Sequence, residues 1–285
     1  MKSNLILVVL VLAVTAGTAI AQTNDKATQA PAAQPATAQA QTATPGVKPP
    51  QPKTKEEYAA YGAAFNEPDL TKAVADADAF QKQYPDSEIT FMLYQSLMRR
   101  FRNANNADKA LEMGRKVLQL DPDNAEALIT SAAILAETTH TSDLDRDQKC
   151  AEAIQYAEHG LNAVATKLRV PATATPEQVA AYKNGLSMWA YTSMGAIDMT
   201  KEDWPAAEQS LRKAVQLSQD EPDPVVLYRL SLTLDKETKY SDALGFITQA
   251  EQAAGNSPFM AEIRQEKLRL QQLTSSQPPA AAPKQ

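Results

Sequence analysis

Five alanines (Ala73, Ala110, Ala153, Ala207 and Ala243) each follow a short helix-breaking turn, and each falls on the apolar face of the helix that the turn begins. The stretch around Ala110 shows the unit most fully. Tyr94, Leu97, Met98 and Phe101 recur at helical spacing, and polar residues 103–108 break that helix. Ala110 then sits at the start of a second helix, which Asp121-Pro122 closes. One helix pair of this size has an apolar stripe that it cannot bury by itself. Stacking copies lets each pair cover the next, so the pattern constrains the chain to a row of helix pairs with a continuous core.

Between residues 54 and 273 apolar positions recur at helical spacing, with no convincing strand alternation. Nine glycines in 285 residues also weigh against Gly-rich β architecture. Breakers predict about eleven helices. They pair as 54–65 with 69–84, 87–102 with 107–120, 124–138 with 148–167, 176–199 with 204–219, and 224–236 with 241–254. A last helix covers 258–273.

The segment Tyr94-x2-Leu97-Met98-x2-Phe101, Ala110 and Pro122 resembles a tetratricopeptide repeat (TPR). The pattern of that family is Trp-x2-Leu-Gly-x2-Tyr, a second-helix alanine and a closing proline. In the first pair Tyr58, Tyr61, Gly62 and Phe65 fit the pattern, aromatic ends and glycine included. Leu128, Ser131, Ala132 and Leu135 fill the same places in the third pair, and Leu227, Leu230, Ser231 and Leu234 in the fifth. The fourth has Tyr191, Met194 and Gly195, with Asp198 where an aromatic is expected. The five alanines lie 37, 43, 54 and 36 residues apart, against about 34 in the family, so the third and fourth units carry insertions. The resemblance implies an all-α fold: a right-handed α-solenoid of about five TPR-like helix pairs plus a C-terminal capping helix. In the cap, Ile263, Leu268 and Leu270 are expected to lie on the last pair, with Glu262, Arg264, Glu266 and Lys267 in water.

The ends read differently. Lys2 precedes an apolar run, residues 5–14, and Ala19-Ile20-Ala21 makes a small-x-small site. Together these predict a signal peptide over 1–21, cleaved between Ala21 and Gln22. The apolar run is short for a membrane span of ~20 residues, and secretion to the periplasm is the expectation. Residues 22–53 are rich in Ala, Gln, Thr and Pro, as are 274–285, and both predict disordered segments. The repeat domain is then 54–273.

Loss of the signal leaves 27 basic residues against 34 acidic ones. That balance argues against nucleic acid or anionic lipid as the main partner. Cys150 is the only cysteine, so no intrachain disulfide forms. Its acidic neighbours Asp145, Asp147 and Glu152 argue against a reactive thiolate. Asp143, Asp145 and Asp147 begin like a calcium loop, but Gln148 replaces the required glycine and Ile154 the bidentate glutamate. His140 and His159 have no cysteine pair to complete a zinc site. No phosphate loop or nucleophile elbow is present, so the sequence predicts no enzyme, no cofactor and no metal.

Placed by the family pattern, the first helix of each pair turns a second set of side chains toward the concave surface. These are Met92, Gln95, Arg99 and Arg102, then Ile129, then Trp189, Thr192 and Met199, then Tyr228 and Leu232. Such a stripe suits recognition of a protein or peptide. The chaperone-tail clamp of the family is missing, because its places hold Arg99, Ala133, Ala196 and Leu232. Trp189 and Tyr228 have a competing role, burial under the 168–176 insertion or a neighbouring repeat. The expected function is a non-catalytic interaction scaffold of the cell envelope. A structural or assembly factor acting through self-association as a homo-oligomer is the alternative.

Overall fold

Eleven α-helices follow one another among the described residues of the computed structural model, which are 41–42, 50–171, 173–218 and 221–276. The chain divides into units 1–38 and 39–285, and the first lies wholly outside the described residues. The signal-peptide reading, most of the 22–53 segment and the tail beyond 276 therefore fall outside them too.

The helices pair in chain order. They are α1 (Lys55–Phe65) with α2 (Leu70–Gln83), α3 (Thr90–Asn103) with α4 (Ala107–Leu120), and α5 (Ala125–Thr138) with α6 (Arg146–Thr166). Next come α7 (Pro176–Thr200) with α8 (Trp204–Leu217), α9 (Pro224–Lys236) with α10 (Tyr240–Ala254), and a final α11 (Met260–Ser276) laid on α10. Short polar side chains start most of them. Thr54, Asp69, Asn106, Asn124, Asp203 and Asp223 each accept a backbone N–H of the first turn, and Thr175 forms a full capping box with Gln178. Prolines 176, 205 and 224 stand in first turns, where the missing N–H is not needed.

Pairs two, four and five turn from first to second helix in the same way. Asn105, Glu202 and Thr238 take positive φ of 56°, 59° and 60°. The next residue's N–H reaches back five places, Asn106 to Phe101, Asp203 to Asp198 and Lys239 to Leu234, each at 2.9 Å. These bonds satisfy carbonyls that the helix end would leave orphaned.

All five marker alanines are buried where their second helix meets the first. Gly195 shows why a small residue is needed there, since a Cβ would lie 2.6 Å from the Leu211 Cγ. Gly62 departs from that expectation. Nothing lies within 4 Å of its would-be Cβ, and Phe65 is 44% exposed. The cause is position, because α1 has a helical neighbour on one side only among the described residues. The cap also differs in part. Ile263 and Leu270 are buried as expected, but Leu268 is 62% exposed and Glu266 is tucked against Arg269. At 100° per residue Leu268 falls off the stripe that Ile263 and Leu270 share.

The stretched units absorb their extra residues as longer helices, 21 residues in α6 and 25 in α7, and as the loop between them. In that loop β2 (Val170–Pro171) pairs antiparallel with β1 (Gln41–Thr42). Arg169 reaches back to the second pair, 2.6 Å from Asp121 and 5.4 Å above the Phe91 ring.

Charge also fastens neighbouring pairs. Glu208 on α8 accepts from Arg212 at 2.7 Å and from Lys239 of the next pair at 2.5 Å. Burial raises the Glu208 pKa, but the bonds from Lys239 and Arg212 outweigh it and hold the carboxyl at about 2. The ordinary value is 4.5, so between the two the unfolded chain binds more protons than the folded one. Stability from this carboxylate is therefore complete above that ordinary value and lost as pH falls toward the folded one. Glu208→Gln is expected to lower Tm by about 3 °C at pH 7, with the gap closing as pH is taken down from ~5 to ~3. A gap that stays constant over that titration, followed by circular dichroism, refutes the assignment.

Candidate binding groove

The first helices α3, α5, α7 and α9 share one face, and polar side chains cross between them there. Glu126 at the start of α5 accepts the Gln95 amide at 2.7 Å and both Nε and Nη2 of Arg99. The Tyr182 hydroxyl from α7 donates to the same carboxylate at 3.5 Å. Arg99 and Gln95 are thus anchored by a carboxylate of their own chain.

One turn along, Arg102 donates through Nη2 to Glu137 Oε1 at 2.8 Å, and its guanidinium carbon lies 5.6 Å from the Trp189 ring centroid. Its Nη1 is enclosed and has no hydrogen-bond partner. Arg229 of α9 also feels Glu137. Burial lowers its pKa, and the Glu137 and Asp223 carboxylates work in the opposite direction. Side chains from α3, α5 and α7 therefore meet here.

Further along, a cavity of about 370 Å³ is lined by Met199, Trp204, Leu232, Asp235, Lys236, Glu266 and Arg269. Arg269 of α11 pairs with Asp235 at 2.6 Å, and Lys236 lies 5.8 Å over the Trp204 ring. The capping helix thus supplies one wall.

Several sequence-predicted contacts sit elsewhere than expected. Ile129 is 0% exposed, with its side chain closing on the Gly160 backbone, and is core rather than contact surface. The reason is α5 itself. Packed against α4, α6 and the long α7, it buries ten of its fourteen residues. Gln95 is also buried, held by Glu126. Tyr228 is partly buried beside α11; burial raises its hydroxyl pKa, helped by Glu266 and Glu262. Trp189 is partly buried against the α5–α7 core, and Met92 against the α1–α4 core. Thr192 bonds back to the Met188 carbonyl at 2.8 Å. Arg99 is exposed, and Met199 and Leu232 line the cavity. Reasoning from the repeat pattern missed Glu137, Arg229, Lys236 and Arg269. Arg229 could have been found, since it neighbours Tyr228 on α9.

The remaining chemistry is structural. Cys150 is buried, and its thiol pKa is raised by burial first, with Lys201 and Arg146 opposing. Its acidic flanks are therefore not the main cause. Asp143 and Asp145 hold Lys149 at 3.3 and 2.9 Å, and His159 meets Asp123 at 2.8 Å. Among the described residues no group of three or more His, Cys, Asp or Glu could hold a metal ion. No helix among them is long and apolar enough to cross a membrane.

The sequence matches no family model and no curated protein. Solved structures do match. MamA (41-end) from Desulfovibrio magneticus RS-1 is 14% identical over 72% of this chain and 98% of its own, with a TM-score of 0.50. YrrB, described as a TPR protein with an unusual peptide-binding site, is 17% identical over 70% of this chain and 86% of its own, TM-score 0.46. PilW, a type IV pilus biogenesis factor, is 16% identical over 80% of this chain and 96% of its own, TM-score 0.47. The likeness shows a fold: the chain is an all-α solenoid with the tetratricopeptide-repeat fold.

Proposed function

We propose that this tetratricopeptide-repeat solenoid is a non-catalytic scaffold of the cell envelope that holds a protein or peptide along its first-helix face. The observation that carries the reading is that Arg102, Glu137 and Trp189, from three successive first helices, meet on that face, with a cavity lined by Met199 and Leu232 further along α7 and α9. Guanidinium groups and partly exposed apolar side chains side by side are the surface chemistry of recognition sites. Export over residues 1–21 supplies the envelope location, since Lys2, the apolar run and Ala19-Ile20-Ala21 form a signal peptide.

A photo-activated cross-linker placed at Thr192 or Leu232 in native cells tests this. Both positions are expected to capture a partner, and Gln119, exposed on second helix α4, is expected to capture none. Equal capture at Gln119, or none at either groove position, defeats the groove reading. The mass of the exported chain is expected to match a start at Gln22, and a chain beginning at Met1 defeats the envelope assignment.

A further inference from the structure

We infer that the cavity walled by α11 is a site for an uncharged, proline-rich segment in extended form, and that the segment it holds is Pro278-Pro279 with its neighbours, the residues that follow α11. The site adjoins the proposed groove and stands independently of it. A partner that uses this end of the groove must first displace the segment.

The lining sets the chemistry. Met199, Trp204 and Leu232 give the cavity an apolar floor. The charged groups around them are already engaged. Arg269 holds Asp235 at 2.6 Å and Glu266 at 2.7 Å, and the two carboxylate side chains are only 15% and 13% exposed. Lys236 lies over the Trp204 ring and is itself exposed to water. Neither carboxylate of the lining is left over for a basic ligand, and an unpaired charge brought in would be costly to cover, so the occupant is uncharged. At about 370 Å³ the cavity stands near the small end of ligand pockets, which run roughly 300–1,000 Å³. It suits a few small side chains.

The residues after α11 match that description and begin beside the cavity. Arg269 stands in its wall, and α11 ends at Ser276, seven residues on, which is about 10 Å along a helix. Pro278 cannot continue the helix and biases Gln277 toward extended backbone. Residues 277–283 read Gln-Pro-Pro-Ala-Ala-Ala-Pro, with no charge and no bulky side chain. Extended at about 3.1 Å per residue they span about 20 Å, twice what a return to Arg269 requires. A proline pair holds the extended form in advance, so it loses little entropy on docking against an aromatic ring, here Trp204. The other proline pair, Pro49-Pro50, is a poorer fit. It is flanked by Lys48 and Lys53, and the N–H of Gln51 beside it donates to Glu88, ahead of α3, at 3.4 Å.

A compact diazirine cross-linker at Leu232 of the purified full chain, with peptide mapping of the products, tests this. It is expected to join residues 277–283 of the same chain. The same group at Leu268, on α11 but 62% exposed and outside the cavity lining, is expected to join them far less. Pro278→Gly with Pro279→Gly removes both rings without favouring a longer helix, and is expected to lower the Leu232 yield about fivefold. In that variant the indole N–H resonance of Trp204, identified by its loss in Trp204→Phe, is expected to move while that of Trp189 stays. Equal yields at Leu232 and Leu268, or a Trp204 resonance indifferent to the prolines, overturns the inference. Links from Leu232 to residues 43–49, or between two copies, overturn it too, by giving the cavity to the 22–53 segment or to self-association. Links to 277–283 with no partner captured at Thr192 in native cells support this site while removing the groove.

Discussion

Gly195→Val is expected to destabilise the protein by about 3 kcal/mol in urea unfolding. The first new carbon would lie 2.6 and 2.8 Å from Cγ and Cδ2 of Leu211, which is itself fully buried, with the Ala207 carbonyl 3.5 Å away. Leu211 has nowhere to retreat, so α7 and α8 must separate. Alanine at the same place is expected to cost less, because it regains up to about 1 kcal/mol of helix propensity while meeting the same two carbons. Removing the obstacle is the control. In Gly195→Val with Leu211→Ala the two losses are expected to sum to less than additive, as contact requires. Full additivity would show that the two positions do not press on each other.

Tyr94→Ala is expected to cost about 4 kcal/mol. The ring is fully buried in the core shared by the first three pairs. Its hydroxyl lies 2.7 Å from Asp78 Oδ1 and 2.8 Å from Gln81 Oε1, with one proton to give to either, and the Lys116 ammonium lies 4.9 Å over the ring. Tyr94→Phe isolates the hydroxyl and is expected to cost about 1 kcal/mol, a little more if Asp78 is left short of a donor. Chemical denaturation of the two variants separates the terms. Equal losses would place the whole effect in the hydroxyl and none in the ring's packing.

Both residues were legible in the sequence, and for the same reason. Tyr94, Gly195 and the five alanines belong to a period set by helix packing, and packing between neighbours is what a repeat encodes. Helix order and most boundaries followed, because prolines and short polar caps stand at the breaks. Ile129 was misplaced because the pattern assumes uniform pairs, whereas the 25-residue α7 also packs against α5. Leu268 was misplaced because it lies about 160° around the helix from the stripe that Ile263 and Leu270 share. Glu137 and Arg229 were invisible for a different reason. They lie 92 residues apart, and the influence of one on the other passes between first helices, a relation that no local spacing records. The insertion was legible as extra length, but the reach of Arg169 to Asp121 was not.

That reach alters how the array would bear a load. A solenoid whose pairs touch only their neighbours comes apart one unit at a time when pulled from an end. Arg169 fastens the α6–α7 loop to Phe91 and Asp121 in the second pair, so the clasp passes over a whole intervening pair. Tension arriving at α7 is shared with α3 and α4 before α5 and α6 can peel away, and the middle of the array yields as a block.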